Sequence, residues 1–335
     1  MKIGKKMEVL EYIDPQHDGP MMSWVMNQRC NFTCEYCFYT KEYLAVENPK
    51  VGKYSPQHIA EQFTKTGQEW YIYLNGGEPF LYPKFNELCE ELTQNHYISI
   101  NSNISTSNCM DFADRIDPKK VYSIEASLHI EEREQRNGLK RYLKNFLNFQ
   151  EKGFPIQVVY VTYPDLFDRI EDDMRMLKSE GIKIVNLKVF RGYYKLKYYP
   201  QSYTEHQREI IEKHALDKNE INILEESLSY FGKKCGAGYD FFLMDPEGDV
   251  RRCSSSAKSY GNFFEGTFKI DKQARPCPFL QCSCPYEGMN RTSKEKDNVF
   301  KIGQEIIREG TPYIYKKARP VKIYRYLKKR YKTGN

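Results

Sequence analysis

The chain has 335 residues, 10 of them cysteine, and 51 Lys and Arg against 45 Asp and Glu, a formal charge of +6. Its 40% apolar content is low for a globular protein, but 14% aromatic residues argue against global disorder. No run approaches the ~18 apolar residues of a membrane span, and the first twenty residues, interrupted by Lys2, Lys5, Lys6, Glu8, Glu11, Asp14 and Asp18, hold no signal-peptide core. The expectation is a cytoplasmic chain in a reducing compartment, where clustered thiols bind metal more often than they pair.

After an N-terminal segment (1–20), residues 21–200 alternate short apolar runs with helical periods. Strands are predicted at Met22–Met26, Tyr71–Leu74, Tyr97–Ile100, Val121–Leu128, Ile156–Val161 and Ile182–Val189. Between them, Ser55-Pro56 is an N-cap and first-turn proline for a helix through Ile59 and Phe63. Further helices are predicted over Phe85–Thr93, Asn108–Ile116, Leu139–Gln150 and Leu166–Lys178. Such alternation implies a parallel sheet, because each return to a parallel neighbour needs a crossover. The predicted class is α/β: a partial (β/α)6 TIM-like barrel with chemistry at the carboxyl ends of its strands. Residues 201–231 read as a helical linker. Residues 232–290, rich in Gly, Pro, Cys and Ser, read as a small Cys-rich C-terminal extension. A turn at Asp245-Pro246-Glu247-Gly248-Asp249 would make a hairpin there, and the extension's few apolar periods call for a metal. Residues 291–335 form a basic tail.

Cys30, Cys34 and Cys37 follow the first strand at C-x3-C-x2-C spacing. Three thiolates are too few for a structural zinc site, but they suit a 4Fe–4S cluster with one iron left open. On spacing alone, a zinc site with a borrowed fourth ligand stays open. Cys89 and Cys109 read as small buried apolar residues. An aromatic, Phe38, follows the third cysteine; the second strand ends in Gly76-Gly77-Glu78-Pro79; the third ends in Ser102-Asn103-Ile104; the fourth ends in Ser127-Leu128-His129. Together these segments resemble the radical S-adenosylmethionine (SAM) superfamily. The resemblance implies that Cys30, Cys34 and Cys37 ligate a 4Fe–4S cluster and that Gly76, Gly77 and Glu78 seat the methionine part of SAM, with Ser102, Asn103 and Ser127 nearby. Ile104 stands where the family has Gly, and His129-Ile130 stand where it has Asp-Gly. His129 reads as a polar loop residue or a pocket residue. Arg133 and Arg136 read as solvated helix charges, or one of them as a partner of the SAM carboxylate.

Cys235, then Gly248 five residues before Cys253, then Cys277, Cys282 and Cys284 resemble the SPASM or twitch extension. That implies a second, auxiliary 4Fe–4S cluster bound by four of the five. Which later cysteines serve is ambiguous, and a zinc ribbon is the alternative.

The resemblance implies reductive cleavage of SAM to a 5′-deoxyadenosyl radical, which abstracts hydrogen from a substrate, with a donor such as a flavodoxin or ferredoxin as partner. It names no catalytic residue. The Tyr-rich segment Arg191–Tyr203, and only twenty residues ahead of the barrel for a leader-binding domain, favour a carbohydrate or other small polar substrate in an oxidation, epimerisation or related reaction. A ribosomal peptide or protein side chain is the alternative. The rival of another class is a non-catalytic zinc- or nucleic-acid-binding module, although no specific nucleic acid is predicted. Residues 316–332 hold nine cations and no acid, with Val321, Ile323, Tyr324, Leu327 and Tyr331 at near-helical spacing. They read as a C-terminal helix packed on the barrel, or as one lying on an anionic membrane surface, with RNA the alternative given the interleaved Tyr.

Overall fold

The computed structural model describes residues 19–39, 44, 48–225, 229–280, 282 and 292–309; Cys284 and the basic run 316–332 lie outside them. The chain divides into two compact units, Met1–Glu226 with Met244–Gly248, and Ser227–Leu243 with Asp249–Asn335.

The first unit is built on six parallel strands that neighbour one another in chain order. They are β1 (Met21–Val25), β2 (Tyr71–Asn75), β3 (Tyr97–Ser102), β4 (Val121–Ser127), β5 (Ile156–Val161) and β6 (Val185–Lys188). The crossovers carry α1 (Pro56–Thr64), α2 (Phe85–Thr93), α3 (Asn108–Arg115), α4 (Ile130–Gln135), α5 (Leu139–Glu151) and α6 (Ile170–Ser179). The sheet does not close, so the α/β class and partial-barrel order match the sequence pattern. As predicted, Ser55 caps α1, its hydroxyl accepting from the His58 amide at 3.2 Å. The last strand is shorter than expected because Ile182 is still closing α6: its amide donates to the Leu177 carbonyl at 3.1 Å, beyond Gly181 at φ +90°. Helix α4, too short to show a period, is foreshadowed only by the reading of Arg133 and Arg136 as helix charges.

Strand alternation sorts the residues. One set (Trp24, Ile72, Leu74, Ile98, Ile100, Ile124, Ala126, Val158 and Leu187) is fully buried. Phe112 of α3 belongs to the same core and meets Phe80, Phe85, Phe149 and Phe154 at ring distances of 5.5–6.0 Å. The alternate set is polar and half-buried: Ser23, Tyr73, Asn75, Asn101, Glu125 and Lys188. Glu125 accepts from Tyr73 at 2.8 Å and Asn101 at 3.2 Å, with the Lys188 ammonium 3.6 Å away.

After β6, the Tyr-rich segment forms a tight hairpin of β7 (Gly192–Tyr194) and β8 (Lys197–Tyr199). Its two-residue turn places Lys195 and Leu196 at positive φ, as such turns require, and leaves Leu196 fully exposed. Helices α7 (Glu205–His214) and α8 (Lys218–Glu225) follow, the first opened by a capping box of Thr204 and Gln207.

The expected hairpin is present, with β10 (Phe241–Met244) beside β11 (Val250–Arg251) and its Met244–Gly248 turn counted with the first unit. A three-stranded antiparallel sheet joins β9 (Lys233–Cys235) to β12 (Arg275–Pro276) and β13 (Thr292–Lys296), and α9 (Val299–Glu309) follows. Despite its few apolar periods, this region has an aromatic cluster of its own. Phe242 meets Tyr260 and Phe268 edge-on, and Phe263 packs on Phe268. Buried Arg252 and Arg275 pair with Glu305 and Glu309 of α9, and Arg275 also with Asp271. Apart from Phe263–Phe268 and Arg275–Asp271, these contacts join residues far apart in sequence and leave no local period.

Phe112→Ala empties the centre of the aromatic core and should cost about 3–5 kcal/mol, read as a lower urea midpoint for the first unit. His96, 2% exposed, accepts from the Trp70 amide through Nδ1, and burial pushes its pKa from 6.5 down to about 4. On acidification the unfolded imidazole takes up its proton first. This contribution to stability is complete above pH 6.5 and declines as pH falls toward 4. The urea midpoint should therefore drop between pH 7.5 and 5, with a smaller slope in His96→Asn.

Candidate active site

The carboxyl ends of β1 and β2 meet through backbone. After the Met26 amide bonds to Asn75 (2.8 Å), the Gly77 amide donates to Asn27 (3.0 Å) and the Glu78 amide to Arg29 (2.8 Å). The Asn27 side-chain amide returns a bond to the Glu78 carbonyl at 3.0 Å. The glycines are required by this approach: a Cβ at Gly77 would lie 2.2 Å from the Arg29 carbonyl oxygen, and one at Gly76, where φ is +135°, 2.7 Å from that of Asn27. Gly76-Gly77 thus clamps the chain that runs directly into Cys30.

Glu78 is 1% exposed. Its carboxylate accepts from the Ser102 hydroxyl (2.6 Å), the Asn103 amide (2.8 Å) and the Phe80 amide (3.1 Å). Burial raises its pKa, while these three donors pull it back. Ser102 and Asn103 therefore meet Glu78 directly. Asn103 also donates to Asn31 in the cysteine loop at 2.9 Å. Ile104, in the family's Gly position, sits at φ +44°, a costly conformation for a β-branched residue. Asn145 holds its carbonyl at 2.8 Å, and its side chain is fully buried.

The loop bearing Cys30, Cys34 and Cys37 is fastened at a second place. Glu132 of α4 accepts from the Thr33 amide and hydroxyl at 3.1 and 3.0 Å and pairs with Arg136 at 2.7 Å. Tyr36 shares a 3.0 Å hydrogen bond with His129 Nδ1, and the His129 ring also packs edge-on against Phe32. Burial and the nearby Arg133 charge push the His129 pKa down to about 3, so it is a neutral hydrogen-bonding partner in the wall of the site. The three thiols feel one another electrostatically, and burial raises the pKa of each, that of Cys30 to about 11. Among the described residues no three His, Cys, Asp or Glu side chains gather tightly enough to chelate one ion. Three neighbouring thiols on one loop are the donor set that a four-iron cluster with one open iron would take.

Arg133 corrects the reading of a solvated helix charge. It is fully buried, its guanidinium donating to the carbonyls of Asn103 (2.5 Å), Ser127 (2.9 Å) and Leu128, with Tyr142 3.9 Å beneath. Burial lowers its pKa to about 10, so it remains a cation near neutrality. Its Nη1 has no hydrogen-bond partner. Ile130 and Arg133, three apart, share the inward side of α4, the one sequence signal for this placement. Arg136 does stay half-exposed. Ser127 is set apart from the Glu78 cluster: its hydroxyl donates to Asn101 at 3.1 Å among the polar residues of the sheet. Sequence reading missed Glu132, Asn31 and Tyr36, because their roles lie in contacts made across 72–99 residues.

In the second unit, Cys235, Cys253, Cys277 and Cys282 line one small cavity with Tyr230, Arg252, Ser255 and Phe279.

A clamped cysteine loop over the carboxyl ends of parallel strands is the arrangement of a radical SAM domain. Residues 24–177 match the family model for the Radical SAM superfamily. The superfamily uses a 4Fe–4S cluster and SAM. The chain is 21% identical over 267 residues to the antilisterial bacteriocin subtilosin biosynthesis protein AlbA of Bacillus subtilis (strain 168), a match spanning 73% of this chain and 57% of that protein. Among solved structures it resembles anSMEcpe with bound AdoMet (TM-score 0.53, 15% identity, 76% of this chain and 81% of that one). It also resembles Streptococcus suis SuiB bound to S-adenosylmethionine (TM-score 0.53, 15% identity, 74% and 64%). At these identities the structures speak for the fold.

Glu132→Ala should release the cysteine loop, seen as faster hydrogen exchange at the Thr33 amide with little change at β3. Gly77→Ala should separate the loop from β2, seen as faster exchange at the Glu78 amide. Unchanged exchange in both variants would show that these contacts do not hold the loop.

Proposed function

We propose that this chain is a radical SAM enzyme acting on a peptide or protein side chain. The observation that carries the enzymatic reading is the cysteine loop locked to Gly76–Glu78 beside a buried cation with one unpartnered N–H. Cys30, Cys34 and Cys37 would hold the 4Fe–4S cluster, which with SAM supplies one-electron cleavage and hydrogen abstraction. The backbone of Gly76 and Gly77 lines the approach. Glu78 Oε2, with one protein donor, keeps acceptor capacity for an ammonium group. Arg133 Nη1 is the donor for a carboxylate. Ser102 and Asn103 hold Glu78 in place, and Ser127 sits with Asn101. Cys235, Cys253, Cys277 and Cys282 would hold the auxiliary cluster, with Cys284 outside the described residues. A one-electron donor such as a flavodoxin or ferredoxin would complete the system.

The substrate class rests on the relatives. AlbA is a bacteriocin biosynthesis protein, and anSMEcpe has been solved with a bound peptide (TM-score 0.52, 16% identity). This support replaces the carbohydrate reading. The Tyr-rich segment, its main argument, is a hairpin in which Tyr193 and Tyr198 pack on each other at 4.9 Å and Tyr194 bonds to Asp165. Its exposed Leu196 and Tyr193 suit an apolar peptide side chain.

Anaerobically reconstituted protein should be brown, hold about eight iron atoms in two four-iron clusters, and release 5′-deoxyadenosine from SAM on reduction. Cys34→Ala should abolish that release. Arg133→Gln should weaken SAM binding by roughly 10–100-fold, the worth of a charged hydrogen bond. A panel of cysteine-containing peptides should stimulate release where sugars do not. Colourless protein with stoichiometric zinc would overturn the enzymatic reading, and stimulation by sugars alone would overturn the peptide one.

A further inference from the structure

Arg252 is 1% exposed and lines the four-cysteine cavity of the second unit. Its Nη1 faces Glu309 at 3.4 Å and Glu305 at 3.8 Å, two carboxylates one turn apart on α9. Glu309 is itself held by the Ser256 hydroxyl at 2.6 Å. The guanidinium is thus anchored by acids on a helix, while its Nε is buried with no hydrogen-bond partner. The neighbouring Arg275 differs: its Nε bonds to Asp271 at 2.9 Å, and its two terminal nitrogens reach Glu305 and Asp271. An orphaned buried N–H is costly, and Arg252 lines the same cavity as four thiols, so the acceptor for it lies among the groups those sulfurs would hold. Arg252 also interacts electrostatically with Cys253 and Cys235, two of the four thiols.

We infer that Arg252 donates its Nε–H to a sulfur of the anionic iron–sulfur cluster held by Cys235, Cys253, Cys277 and Cys282, and that its charge, fixed by Glu309, sets that cluster's reduction potential. This rests on the reading of those cysteines as cluster ligands. A cluster gains negative charge on taking an electron. A fixed cation and an N–H···S bond both favour the reduced form and raise the potential. The fold therefore makes this site a better electron acceptor than four thiolates in an apolar pocket alone.

The test uses full-length protein with Cys30, Cys34 and Cys37 all changed to Ala, so that only the second site can load iron. After anaerobic reconstitution with iron and sulfide, the midpoint potential and electron paramagnetic resonance spectrum are compared for this protein, Arg252→Gln and Arg252→Lys. The expected result is about four iron in each. Arg252→Gln should show a midpoint more negative by at least tenfold in the reduction equilibrium, about 59 mV for one electron. Arg252→Lys, keeping the charge without the Nε donor, should shift less and change the spectrum. If the parent binds no iron, the cluster reading fails and the inference with it. If iron loads but potentials and spectra are the same in all three, the role of Arg252 is refuted and the cluster survives. If Arg252→Gln does not load or fold, the lysine variant decides alone: an unchanged midpoint and spectrum refute the inference.

Discussion

The architecture of the first unit turns on one close backbone approach. Gly77 and Glu78 hydrogen-bond to Asn27 and Arg29 at a separation that admits no side chain at residue 77. This contact extends the β1–β2 pairing past the sheet and delivers the chain, already oriented, to Cys30. The Gly76–Glu78 turn then brings the Glu78 carboxylate to the end of β3, where Ser102 and Asn103 close on it. Four segments distant in sequence (the cysteine loop and the ends of β2, β3 and β4) are thereby fixed by backbone amides and short side chains. Rigid placement of this kind is what a site needs if a reactive fragment is to be directed at one position.

Both units bury cations, and in each the surroundings show why the charge is tolerated. Arg133 is neutralised by no single acid; three strand-end carbonyls and a tyrosine face take up its charge. Arg252 lies against carboxylates of α9. Each retains one nitrogen without a protein acceptor. A guanidinium, with five donors in a fixed plane, can be held by some of them while offering another. Lysine, a rotating point charge, could not combine these tasks as well.

The helices on the sheet's apolar side were legible because their core-facing residues repeat locally, as in the stretch carrying Phe146 and Phe149 of α5. Where the reading slipped, the cause was local chemistry: Ile182 is captured by the closing turn of α6, and α4 spans too few residues for a period. The contacts of the second unit were missed for a different reason. Its Phe242–Phe268 contact and its Arg275–Glu305 pair link positions 26 and 30 residues apart, so nothing in a short window reveals them.

The sequence by itself determined the class, the strand order, the two cysteine groups and the Gly-Gly-Glu turn, since each is written in spacing along a single segment. Only the tertiary structure decided that the glycines serve a backbone clamp, that Glu78 is held by three donors, that Arg133 is buried with a free N–H, and that Arg252 joins Cys235, Cys253, Cys277 and Cys282 around one cavity. Those properties depend on distances between chain segments and on the loss of water around charges, and neither is encoded in any one stretch of residues.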